Sequence, residues 1–446
     1  MDEHLQDYFE RRADELAQLS RKIWEHPEAS EHEVYACEAL TAFLGREGFT
    51  LSGPPFAGLE TAFEAKWGEG EPRIAFLAEY DALPGLSQEV STERRAIPDC
   101  PFGHGCGHNL LGVGAVGAAA ALKSAMQAAG LPGTVYLYGC PSEEVMLGKI
   151  AMTKAGVFDD LDVAISWHPG DLNQASESSY QAMLSAEYHF TGKASHAAMA
   201  PQEGFSALDA VELMDVGVNY LREHVPVGGQ LHYVILNGGD KPNIVPEKAS
   251  VWQFMRASTV QDLRRIARRV DEIAAGAALM TGTKFKKKVL TGCNETRIVP
   301  ALVDLMYGVM RDEIPRPVWT DEEESFSRRI LEELGIAHGK SCLHSAILQP
   351  TGQTVRILGS SDLSDVSYVV PTCMLFSACY PIGTPNHTWA VTACAGASIG
   401  QKGMLYAAKV MASTGLHLVR DPGLRRKVRA SFEEALAGAS YAPADS

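Results

Sequence analysis

The feature that most limits the fold is a set of short apolar runs, each ending abruptly in a polar cluster. They are Arg73–Ala78 (RIAFLA), residues 134–139 (TVYLYG), 162–166 (DVAIS) and 374–378. Runs this short, bounded by turn residues, predict buried strands rather than helices. Two amphipathic helices are expected before them, over 6–24 and 30–48, and a small-residue helix over 109–129 separates the first two strands. Strands alternating with helices predict an α/β layer built on a mixed or parallel sheet. In such sheets ligands bind beyond the carboxyl ends of the strands.

Residues 181–294 follow a different pattern. A strand (AMLSAEYHFTG), a helix over 205–223, two strands (QLHYVILN and ASVWQFMRA), a helix and a last strand (TKFKKKVLTG) succeed one another. Leu263, Ile266, Val270, Ile273 and Ala277 recur at helical spacing on one face of the second helix. The order β-α-β-β-α-β is that of a ferredoxin-like unit. The chain is therefore expected to consist of a catalytic α/β domain in two parts, 1–180 and 295–446, with a second domain inserted at 181–294. The Gly-, Ser- and Thr-rich stretch 349–362 reads as a loop, and one long terminal helix is expected from about Ala395.

The polar clusters carry the chemistry. EYDALPG (79–85), CPSEE (140–144), WHPG (167–170) and GTPNHT (383–388) each follow one of the four strands, and GHGCGHN (103–109) leads into the small-residue helix. Together they supply His, Cys and Glu, the ligand types of zinc and manganese sites. Each taken singly is weak: His168 or His387 could be an ordinary polar residue, and Glu143 and Glu144 a solvated helix start. Their coincidence at one edge of one sheet is what points to a site. Gly103, Gly105 and Gly107 alternate with His104, Cys106 and His108, and glycine lets successive side chains converge. A metal-free Cys–His nucleophile pair is the competing reading, and it leaves Glu143, Glu144, His168 and His387 without a role.

Charge and cysteine use narrow the partners. The formal net charge of −16 disfavours nucleic acid. The acidic N-terminus resembles neither a signal nor a transit peptide. The apolar run 110–122 is shorter than the roughly 20 residues that span a bilayer, so no membrane is expected. Nine scattered cysteines read as reduced thiols of a cytoplasmic protein.

The ordered series AEYDALPG, GHGCGHN, CPSEE, SWHPG, GKASHAA, NIVPEKA and GTPNHT resembles the aminoacylase/carboxypeptidase superfamily of dinuclear metallopeptidases. Within it the chain is similar to the hippurate hydrolase and auxin-conjugate amidohydrolase branch, and to the p-aminobenzoyl-glutamate hydrolases. The resemblance implies a catalytic α/β domain with an inserted lid that forms a homodimer, or a heteromer with a related subunit. It implies two divalent cations, manganese rather than zinc, held by Cys106, His108, Glu144, His168 and His387, with Cys106 between them. Glu143 would then be the general base acting on a water shared by the cations, and His196 of a neighbouring subunit would polarise the scissile carbonyl. Asn243 and Arg256 match positions that hold a substrate carboxylate. Asp81 fits a carboxylate that takes the second ring proton of a ligating histidine. No role follows for Glu79, and His104 is expected near the cations but not bound to them. The implied reaction is hydrolysis of a small N-acyl, aroyl amino acid. The alternatives are removal of an amino group from an aromatic amine on the same scaffold, or a non-catalytic binding subunit.

Overall fold

The computed structural model describes residues 1–445. Two compact units emerge. The first comprises Met1–Glu177, Arg297–Thr354 and Val366–Ser440. The second comprises Ser178–Thr296, Val355–Asp365 and residues 441–445.

The first unit is built on an eight-stranded mixed sheet. Its order is Thr50–Ser52, Phe63–Glu69, Gly133–Gly139, Arg73–Ala78, Val163–Gly170, Thr372–Ala378, Asn173–Ala175 and Ile347–Leu348. The strands Gly133–Gly139, Arg73–Ala78, Val163–Gly170 and Thr372–Ala378 run parallel, so their carboxyl ends share one edge. Phe63–Glu69 and Asn173–Ala175 flank them antiparallel. The central strands are buried on both faces, which is why they read as continuous apolar runs rather than alternating ones.

Helix His108–Ala129 is the central core helix, packed against Glu3–Glu25 and Ser398–Arg420. Its run of alanines and glycines admits close neighbours, and residues 108–122 are all buried. At 22 residues it is long and apolar enough to cross a membrane, contrary to the expectation from the shorter 110–122 run. Its apolar surface is spent on the core, with 89% of the tested window buried. All nine cysteines are free thiols.

Three expectations need correction. Val163–Gly170 runs four residues past Ser166, because its register with Thr372–Ala378 continues to Gly170; His168 therefore lies inside a strand. The terminal helix expected from about Ala395 is two, Ser398–Arg420 and Pro422–Leu436, preceded by a short helix Trp389–Ala395. Pro422 cannot continue the ladder of the helix before it, and Asp421 caps the next through Gly423 and Leu424. The stretch 349–362 contains a short strand, Val355–Ile357, paired in parallel with Ser178–Tyr180.

The second unit has a four-stranded antiparallel sheet in the order Gln230–Asn237, Lys248–Ala257, Ala182–Thr191, Lys284–Cys293. Taken in chain order this is 2-3-1-4, the ferredoxin-like arrangement. Helices Ala207–Leu221 and Val260–Thr281 share a core with this sheet, through Leu184, Tyr188, Phe190, Val251, Met255, Leu263, Ile266 and Val270. Both helices begin with side-chain caps, Ser206 accepting from Asp209 N and Thr259 from Asp262 N.

Candidate metal centre

Five segments of the first unit converge at the carboxyl edge of the parallel strands. The loop after Arg73–Ala78 brings Glu79 and Asp81, both buried. The turn before the core helix brings Cys106 and His108. Gly107 between them adopts φ +78°, and a side chain there would also meet the Pro169 ring at 3.0 Å. Gly103 is needed for a different reason: it has no positive φ, but the Leu86 carbonyl occupies the space of a Cβ.

After Gly133–Gly139 the chain makes a single 3-10 turn, Glu143–Val145, between two left-handed residues, Ser142 at φ 61° and Met146 at φ 56°. Buried Glu33 holds this turn by accepting from Ser142 N at 2.8 Å and from Thr61 Oγ1 at 2.8 Å. His387 is also left-handed, at φ 57°, and its N–H donates to Gly105 O at 3.1 Å. Non-glycine residues held there cost roughly 1–3 kcal/mol and cluster at functional sites.

The hydrogen bonds decide which ring atoms are available. His108 Nδ1 lies 2.8 Å from Asp81 Oδ1, so Nδ1 carries a proton and Nε2 is the ring atom left to face the other groups. His168 Nδ1 donates to Pro169 O at 2.7 Å, leaving His168 Nε2 directed at Cys106 Sγ, 3.4 Å away. Asp81 Oδ2 accepts from Ser30 Oγ at 2.8 Å and from Glu144 N at 3.0 Å, tying the histidine to the glutamate turn. Glu144 Oε2 faces His387 Nε2 at 3.6 Å.

Two donor triads share Cys106. Cys106, His108 and His168 form one; Cys106, Glu144 and His387 form the other; within each, the donor atoms lie within 4.8 Å of one another. Cys106 belongs to both. Within this cluster His108 Nε2 and Glu144 Oε1 are buried without a hydrogen bond. Leaving such atoms unsatisfied costs about 1–3 kcal/mol each, a cost that a bound cation would remove. The donor set of imidazole, carboxylate and thiol suits a divalent transition metal.

Electrostatics agree with that fit. Burial pushes the Cys106 thiol up to about 12, which disfavours the thiolate unless a cation is near. Burial, reinforced by charge at His108, holds His168 down to about 4, in the neutral form that a cation would need. Burial alone would raise Asp81, but the His108 hydrogen bond and charge bring it below the ordinary carboxylate range. His104, fully buried and held down to about 3 by burial, sits 3.3 Å from Ile23 O, turned toward the N-terminal helix.

Glu79 and Lys149 have a relation that the sequence does not reveal. Lys149 is completely buried and pairs with Glu79 Oε1 at 2.8 Å. Nothing in GKIAMTK distinguishes this lysine from a solvated one, and Glu33 is equally silent in the sequence.

His196, Asn243 and Arg256 belong to the second unit. The loops of the first two are joined: Ala197 N donates to Asn243 O at 3.1 Å, and His196 bridges to Ile244. His196 is exposed, and its Nδ1 accepts from Ala198 N and Met199 N at 3.2 and 3.1 Å. Its proton therefore sits on Nε2. Arg256 stacks on the Phe254 ring at 4.9 Å, and its Nε is buried without a hydrogen bond.

These features define a class: an α/β enzyme scaffold with cation-ligand groups gathered at the carboxyl edge of a mixed sheet, carrying a ferredoxin-like second unit. Known proteins share both parts. The model of a peptidase dimerisation domain matches residues 181–279. One of the two subunits of p-aminobenzoyl-glutamate hydrolase from Escherichia coli (strain K12) is 37% identical over 442 residues, covering 93% of this chain and 91% of that protein. Xaa-Arg dipeptidase of Mus musculus is 33% identical over 434 residues, 94% of this chain and 89% of that protein. A dinuclear metal-binding peptidase of the M20 family from Bacillus subtilis has the same fold, with a TM-score of 0.63 at 18% identity over 92% of this chain and 99% of its own. The chain belongs to the M20 peptidase family, whose enzymes act on amide bonds.

Proposed function

We propose that the chain hydrolyses the amide bond of a small N-acyl, aroyl amino acid such as p-aminobenzoyl-glutamate, using two divalent cations. The observation that carries this reading is the pair of donor triads that share Cys106. Cys106, His108 and His168 would hold one cation, and Cys106, Glu144 and His387 the other. When bound there, the cations activate water near neutral pH and polarise the scissile carbonyl. Manganese is proposed in preference to zinc.

The chain's own groups do the rest. Asp81 fixes the His108 tautomer, as carboxylates beside ligating histidines do. Glu143, beside His108 and Glu79 in the same cluster, accepts the proton of the attacking water and passes it to the departing amine. Such transfer is worth typically ~10²–10⁴-fold. His196 presents an Nε2–H donor suited to the developing oxyanion, where one donor is often worth ~10²–10³-fold. Arg256 has no carboxylate partner among the described residues, and with Asn243 it would take the substrate carboxylate. A half-buried guanidinium left unpaired is costly, which favours an anionic ligand.

The second unit would pair with that of another copy, or of a related subunit. Support comes from the matched dimerisation domain and from the edge strand Gln230–Asn237, where Val234, Ile235 and Leu236 are exposed.

The test is a screen of p-aminobenzoyl-glutamate, other N-acyl amino acids, Xaa-Arg dipeptides and aromatic amines with added Mn²⁺, following free amino acid and ammonia together. Release of an amino acid without ammonia is expected. Ammonia from an aromatic amine, with no acylated amino acid turned over, would replace this reading by an aminohydrolase.

A further inference from the structure

The reaction outlined above makes no use of Lys149. It occupies the second position of helix Gly148–Lys154 and is completely buried, as lysines almost never are unless paired. Its ammonium lies 2.8 Å from Glu79 Oε1. The other Glu79 oxygen faces His108 Nε2 at 3.3 Å without hydrogen-bond geometry.

Glu79, His108 and Glu143 thereby form a third donor triad, its ligand atoms also within 4.8 Å of one another. This triad competes with the other two. A cation seated in it would draw His108 Nε2 away from Cys106 and His168, and it would tie up the carboxylate assigned to proton transfer. Carboxylate, imidazole and carboxylate are ordinary donors for such an ion, so the chemistry of the three groups does not exclude it. The position of the ammonium does. A cation on Glu79 would sit beside a buried positive charge already paired with the same carboxylate, where water cannot screen the repulsion.

We propose that Lys149 is a positioning residue that keeps this third triad free of metal, so that His108 serves the Cys106 pocket and Glu143 serves the proton. The inference rests on the reading that the two Cys106 triads hold cations. It makes the lysine a determinant of cation number and placement, acting through Glu79 without touching substrate.

The test is Mn²⁺ titration of the metal-stripped full chain by calorimetry, with elemental analysis after gel filtration. Wild type should take up two ions per chain. Lys149→Met should take up an additional ion, with kcat falling ~10-fold or more as the general base is diverted, and with KM little changed. Lys149→Met combined with Glu79→Gln removes a carboxylate of the third triad and should return the count to two. Lys149→Arg, which keeps the charge, should stay at two.

Should Lys149→Met fail to fold, Glu79→Gln alone decides. It should retain both ions, and loss of one would make Glu79 a ligand and overturn the proposal. A folded Lys149→Met that binds two ions with wild-type affinity overturns it too, while leaving the two-cation reading intact. A wild-type chain that takes up no Mn²⁺ overturns both.

Discussion

Adjacent residues in the centre differ in which donors they meet and in what holds them. Glu143 and Glu144 share one 3-10 turn, yet only Glu144 belongs to a triad with Cys106, and its N–H is anchored on Asp81. Glu143→Gln should therefore retain two cations and lose ~10²–10⁴-fold in kcat, since only proton transfer is removed. Glu144→Gln should instead lose metal, seen by elemental analysis after gel filtration. Equal metal retention in both variants would mean that the pair is assigned the wrong way round. Asp81 acts one step further out. Its carboxylate fixes the His108 ring, the glutamate turn and Ser30 at once, so Asp81→Asn should weaken Mn²⁺ affinity by ~10–100-fold, measured by titration of the metal-stripped protein.

At the scale of the element, the loop GHGCGHN brings Cys106 and His108 together because one glycine turns the chain immediately before the core helix. Gly107→Ala places a Cβ at φ +78° and against Pro169. A cost of about 1–2 kcal/mol is expected from the left-handed backbone alone. Both Cys106 and His108 should shift with it, so Mn²⁺ affinity and melting temperature should fall together. Gly308 is the contrast. It lies within helix Pro300–Asp312 with open space around its Cβ position, so Gly308→Ala should stabilise by about 0.4–1 kcal/mol without altering metal uptake. This scale also shows what could be read in advance. Runs such as RIAFLA and TVYLYG announced buried strands because no polar residue interrupts them, and the clusters after them announced the site. His168 was misplaced outside its strand because cross-strand register with Phe376 lies far off in sequence. Lys149 and Glu33 were illegible for a stronger reason: a buried charge differs from a solvated one only in what surrounds it, and their surroundings come from distant segments.

Over the whole molecule, the groups proposed for catalysis fall in two separate units, which raises the question of whose second unit serves which centre. Cys106, His108, Glu143, Glu144, His168 and His387 belong to the first unit, whereas His196 belongs to the second. His196 is exposed, and its ring is oriented by two backbone N–H groups of its own loop, which leaves the proton on Nε2. That donor makes no hydrogen bond among the described residues, so in a dimer it would be available to a neighbouring centre. Subunit exchange tests this directly. Glu143→Ala and His196→Ala should each be nearly inactive, because each lacks one partner of every site. In a mixed dimer, the chain that keeps Glu143 would meet an intact His196 from the other, and one of two sites would be complete. With random exchange about half of the dimers are mixed, so activity should climb to roughly a quarter of wild type. Mixed dimers that form, as shown by tagged co-purification, yet stay as inactive as the parents would place His196 in its own subunit's site or outside catalysis altogether.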